Sequence, residues 1–163
     1  MKIAFSLVKV YRSALTVILS VASSAVFAQN PSGFSGTWVL DHTKSSAELK
    51  DYQIICNIKE TAQTMSVEQI FQTMDGKQTS MQPILYNLDG KEVSKEEEGG
   101  TDRIIAKWSS DKKTLTTKFV RTMSGFDYGS ITTYSISADG KVLTVKSSDL
   151  KGETPMVQVY LKK

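Results

Sequence analysis

The chain is 163 residues long, a single-domain length, and its 40% hydrophobic and 23% charged residues describe an ordinary globular protein rather than a disordered or collagen-like one. One Cys and one His cannot build a multi-ligand Cys/His metal cluster, so zinc fingers, disulfide scaffolds and His-rich sites are excluded. The formal charge of +3 resides in Lys2, Lys9 and Arg12; without them, 17 of the 20 Lys+Arg remain against 17 Asp+Glu, which leaves no electrostatic footprint for a nucleic-acid partner.

The first 28 residues contain no Asp or Glu and have the grammar of a secretory signal peptide: a basic start, an apolar run through Leu15, Val17, Ile18 and Leu19, and a small-residue end at Ala25-Val26-Phe27-Ala28. A transmembrane helix is the competing reading, but it needs about 20 predominantly apolar residues. The stretch from Ser13 to Ala28 is 16 residues long with five Ser or Thr. Cleavage after Ala28 is therefore expected, and the next residue is Gln29 rather than the Cys of a lipid-anchored lipoprotein. Residues 29–163 are expected as one domain without a membrane span, in a periplasm or outside the cell. There Cys56 has no intramolecular partner. Alternation in Tyr52-Gln53-Ile54-Ile55-Cys56-Asn57-Ile58 puts it on the face of Tyr52, Ile54 and Ile58, as a buried small hydrophobe; a reactive or dimer-forming thiol is the alternative.

Beyond Gly33, turn chemistry recurs every 10 to 15 residues: Asp75-Gly76, Asp89-Gly90, Gly99-Gly100, Asp111-Lys112, Ser124-Gly125, Asp139-Gly140 and Lys151-Gly152. Such pairs supply the positive backbone angles of tight hairpins, and strands at this spacing indicate an all-β sandwich or barrel. Ten strands are predicted, over 36–41, 52–60, 63–74, 77–88, 91–96, 101–109, 113–123, 127–138, 141–148 and 154–162. One short helix is predicted within 45–51, capped by Ser45 or Ser46. Consecutive hairpins make an antiparallel up-and-down meander, and closing it into a barrel of 8–10 strands removes both exposed edges.

Phe34-Ser35-Gly36-Thr37-Trp38-Val39-Leu40 resembles the opening strand of the calycins, the superfamily of lipocalins and intracellular fatty-acid-binding proteins, in which a Gly-x-Trp begins the first strand and the indole helps close the barrel bottom. The rest is similar to secreted bacterial lipocalin-like proteins: Trp38 followed by Asp41 and Lys44-Ser45, then Ala106-Lys107-Trp108-Ser109-Ser110-Asp111, then Ser137-Ala138-Asp139-Gly140-Lys141, and a last strand with Tyr160-Leu161-Lys162. The resemblance implies a β-barrel with Trp38 and Gly36 in structural roles. It also has departures. Residues 42–51 have room for one short helix where fatty-acid-binding proteins place two. No helix follows the last strand, as it does in lipocalins. The Arg-x-Tyr that holds a carboxylate in fatty-acid-binding proteins corresponds here to Gln158-Val159-Tyr160, which keeps the Tyr and replaces the charge with a neutral amide.

Catalysis through a Ser-His-Asp or Cys-His arrangement would have to recruit His42, which reads as an exposed turn residue between Asp41 and Thr43. Glu96-Glu97-Glu98, before Gly99-Gly100, reads as a solvated hairpin tip. Candidates for a ligand site lie on inward faces instead. Arg121 shares a face with Leu115, Thr117, Phe119 and Met123, so it points into the barrel unless a bulge turns it out or it pairs with a carboxylate near the rim. Trp108 shares its face with Ile104 and Ala106; it and Tyr134 and Ile136 read first as core and second as ligand contacts.

Small barrels either fill with side chains or enclose one ligand. The leading expectation is a non-enzymatic secreted or periplasmic protein that holds a small amphipathic or hydrophobic ligand inside the barrel. Arg121, Tyr134 and Tyr160 are its candidate polar contacts, and Trp108, Phe119 and Ile136 its apolar wall. The alternative is a structural or protein-interaction module with a packed interior. Neither reading calls for a cofactor or a metal, and a monomer is expected.

Overall fold

The computed structural model describes residues 32–163; the segment for which a signal peptide is predicted lies outside the described residues. Eleven strands follow in chain order: β1 (Gly36–Leu40), β2 (Tyr52–Glu60), β3 (Thr64–Thr73), β4 (Gln78–Ser80), β5 (Ile84–Asn87), β6 (Val93–Glu97), β7 (Gly100–Trp108), β8 (Thr114–Met123), β9 (Phe126–Ile136), β10 (Val142–Asp149) and β11 (Met156–Lys162). They form one antiparallel meander in the order β4-β3-β2-β1-β11-β10-β9-β8-β7-β6, with β5 pairing the same edge of β3 as β4. The first and last strands of the chain thus pair with each other. The antiparallel meander is as expected, but the closure into a barrel of 8–10 strands is not: there are eleven strands, and the hydrogen-bonded ladder does not close, because no pairing joins β4 or β5 to β6 among the described residues.

Turn chemistry writes the hairpins. Ser124 (φ 49°) and Gly125 (φ 81°) are both left-handed between the paired ends Met123 and Phe126, the two-residue loop whose twist matches that of the strands. At Asp89, Asp111 and Asp139 the carboxylate accepts the backbone N–H two residues on, at 3.0, 3.1 and 3.2 Å, an Asx turn that the sequence announces as Asp-Gly or Asp-Lys.

Two further expectations change on contact with the tertiary structure. The strand predicted over 77–88 splits into β4 and β5, because Pro83 has no N–H to give to the ladder. Ser80 pairs with Ile70 and Ile84 with Val67, so the intervening segment carries one residue more than its partner, a β-bulge that flips the alternation and turns Ile84 and Tyr86 inward. The predicted helix shrinks to a 3-10 turn, Ala47–Leu49, with no side-chain cap. Its candidate caps are used elsewhere: the hydroxyls of Ser45 and Ser46 accept the backbone N–H groups of Val159 (3.0 Å) and Val157 (2.9 Å), stitching the segment to β11.

The core fills one end of the barrel. Trp38 is fully buried, its indole N–H donates to the Phe34 carbonyl at 2.8 Å, and the Lys162 ammonium lies 5.1 Å from its ring centroid. Gly36, two residues earlier, has φ 143°, and an added Cβ would meet the Lys162 side chain at 3.0 Å. Phe34, Ile54, Met65, Leu115, Leu143 and Tyr160 belong to the same buried core.

Candidate functional site

Register sorts the inward-facing residues into rows that run across the sheet, and the rows change character from one end of the barrel to the other. At the closed end Ile136, Leu143, Tyr160 and Leu40 stand side by side, followed by Trp108, Leu115, Tyr134, Val145 and Gln158. The next row is Ala106, Thr117, Thr132, Ser147 and Met156, and the one after it Ile104, Phe119 and Ser130. Small polar side chains in these two rows cannot fill the barrel, and the space they leave is a cavity of about 700 Å³. Across it stand Val67, Gln69 and Phe71 of β3, Tyr86 of β5, and Gln82 from the bulge. Leu49 of the 3-10 turn also contributes, so that turn, though short, sits where it bounds the site.

A polar cluster lies at the bottom of this space. Gln69 donates from Nε2 to the Tyr160 hydroxyl at 3.2 Å and to Gln158 Oε1 at 3.5 Å. The Tyr86 and Tyr134 rings meet edge to face with centroids 6.3 Å apart. Burial raises the pKa of all three phenols, Tyr86, Tyr134 and Tyr160. The same desolvation pushes the Cys56 thiol up to about 12, and Cys56 is fully buried. It is the thiolate that reacts, so Cys56 is expected to resist a bulky thiol reagent at neutral pH until the protein unfolds. Labelling of the native protein as fast as that of the denatured chain would contradict this.

The candidate residues divide by row and by what they pack against. Phe119 and Tyr134 line the cavity. Tyr160 lies one row below Gln158 and reaches the site through Gln69. Trp108 and Ile136 do not line it: Ile136 stands one row below Tyr134, and Trp108, level with Tyr134, stacks on Phe34 with centroids 5.7 Å apart. Arg121 has the inward parity of Phe119 but stands one row further toward the rim, opposite Asp102. Its Nε and Nη2 donate to the two Asp102 oxygens at 2.6 and 2.7 Å, a bidentate fork that raises the guanidinium pKa and commits the charge to a carboxylate of the protein itself. The rim reading of Arg121 therefore describes its place. His42 is exposed in its turn.

Gln69, Gln82 and Tyr86 were not among the sequence candidates. Pro83 inside a predicted strand was the available signal for the last two, since a bulge is one of the few places a sheet tolerates proline. Gln69 lies in the alternation Met65, Val67, Gln69, Phe71, whose one polar member points at the cavity.

No family model matches the chain, and no curated protein sequence matches it. Among solved structures, it is similar to secretory abundant heat soluble protein 4 from Ramazzottius varieornatus, with 15% identity and a TM-score of 0.50 over 79% of this chain and 94% of that one. It is also similar to the fatty-acid-binding protein from Manduca sexta, with 12% identity and a TM-score of 0.43 over 78% of this chain and 97% of that one. At 15% identity the first likeness is one of fold alone.

Proposed function

We propose that the protein is a non-enzymatic carrier, secreted or periplasmic, that holds a small amphipathic or hydrophobic molecule inside the barrel. The observation that carries this reading is the cavity of about 700 Å³, whose walls mix Phe, Val, Leu and Met with amides and hydroxyls. Its volume falls in the range of ligand pockets, and its composition suits an apolar body fixed by a few polar contacts. A carrier needs no reacting group, and the two residues nearest to nucleophilic chemistry are poorly placed for it: His42 is exposed, and the Cys56 thiol is buried with its ionisation suppressed. A protein-interaction module with a packed interior would have no use for this space.

Titration with N-phenylnaphthylamine, an uncharged dye that brightens in apolar surroundings, tests the reading. A saturable rise with one site per chain is expected, and the absence of any saturable rise would refute it. The compartment is tested separately. Sequencing of the protein from its native source is expected to begin at Gln29, and retention of Met1 on membrane-extracted protein would contradict export by a cleaved signal peptide.

A further inference from the structure

The lining of the cavity says what kind of head group it accepts. Its polar members are the amides of Gln69, Gln82 and Gln158 and the hydroxyls of residues such as Thr117, Thr132 and Tyr134; among the described residues that line it, none carries a charge. The nearest inward-facing cation by register, Arg121, stands a row outside, where Asp102 takes both arms of its fork. Lys95, opposite Asp102 on β6, is itself ion-paired with Glu97, so this stretch of the rim balances its own charges. A carboxylate drawn into the barrel would lose its hydration and find no cation to replace it, whereas an alcohol, ketone or amide needs only the hydrogen bonds that glutamines and hydroxyls supply. The raised pKa of Tyr86, Tyr134 and Tyr160 is the same preference for neutral forms, expressed by the protein's own side chains.

We infer that the cavity selects uncharged amphiphiles, long-chain alcohols, ketones or amides in kind, and rejects the carboxylate of the same chain. The inference rests on the cavity being a binding site, and the test separates the two. Dodecanol and dodecanoate share an apolar chain and differ in the head; each is titrated against the dye-loaded protein at about pH 8, where the carboxylate is ionised. Dodecanol is expected to displace the dye at a concentration at least tenfold lower than dodecanoate. Equal displacement, or stronger displacement by dodecanoate, would overturn the selectivity and leave the carrier reading standing. Failure of both to displace the dye would remove alkyl amphiphiles as occupants and the inference with them. Failure of the dye itself to bind would remove the carrier reading first.

A second arm uses Gln158→Arg, which places a guanidinium beside Gln69 and Tyr160. The variant is expected to gain affinity for dodecanoate relative to dodecanol by tenfold or more. An unchanged ratio in a folded variant would show that head-group charge is not read at this place. The comparison of the two probes on the unmodified protein decides the matter even if that variant does not fold.

Discussion

Cutting Trp38 to Ala is expected to cost about 3–5 kcal/mol of stability, the range for deleting a large aromatic side chain from a core. The indole is fully buried, and three kinds of contact converge on it: the hydrogen bond to the Phe34 carbonyl, the Lys162 ammonium near its face, and the close packing of the barrel's filled end. It also stands on β1 between Cys56 of β2 and Lys162 of β11, at the place where the beginning and end of the meander are joined. A cavity there weakens the pairing of the two chain ends as well as the core. The measurement is the denaturation midpoint at unchanged slope, and a loss below about 1 kcal/mol, the scale of an ordinary surface change, would contradict the role given to Trp38. Trp38→Phe is expected to fall between, since it keeps an aromatic ring and gives up the N–H donor.

The second large effect is on binding. Thr132 lies in the row of small side chains that makes the space, flanked by Thr117 on β8 and Ser147 on β10. Thr132→Trp puts an indole into volume that the wild-type barrel leaves open, so the protein's own side chain competes with the ligand. Affinity for N-phenylnaphthylamine is expected to fall at least tenfold, about 1.4 kcal/mol. Stability is expected to change little or to rise, because the new ring buries apolar surface without displacing packed neighbours. Overpacking would announce itself by the opposite pattern, a loss of stability of about 1–3 kcal/mol. Unchanged affinity in a folded Thr132→Trp protein would place the dye outside the barrel.

Much of the fold could be read from local chemistry, and the reasons are specific. The Asp-Gly and Ser-Gly pairs impose left-handed backbone at fixed positions, so the hairpins and the meander follow from sequence. Trp38 was legible because it follows a glycine at the head of the first strand. What escaped was set by tertiary accounting. Ser45 and Ser46 are good helix caps in isolation, but the N–H groups of Val157 and Val159 need acceptors, and satisfying β11 leaves only a 3-10 turn. The bulge at 81–83 reverses the parity of everything behind it, and that reversal brings Tyr86 into the site.

The site was half legible for a related reason. Alternation says which residues face inward, and it placed Phe119, Tyr134 and Arg121 correctly in that respect. It does not say at what height along the barrel each one stands. Height depends on register between strands, and register puts Ile136 with the core, Phe119 at the cavity and Arg121 at the rim; Trp108 and Tyr134 share one row, where Tyr134 lines the cavity and Trp108 stacks on Phe34. Asp102 was the missing partner: nineteen residues from Arg121 in sequence, it lies directly opposite in the ladder.

The most direct test of the account is where the ligand sits. Amide and methyl NMR spectra recorded through a titration with N-phenylnaphthylamine should show saturating shifts concentrated on Val67, Leu49, Thr132, Val145 and Met156, whose side chains line the cavity. Intermolecular contacts from the dye to those side chains are predicted, with the outward faces of the same strands nearly unchanged. Shifts confined to exposed residues such as Phe126 and Leu161, with the inner rows silent at saturation, would contradict the claim that this barrel holds its ligand inside.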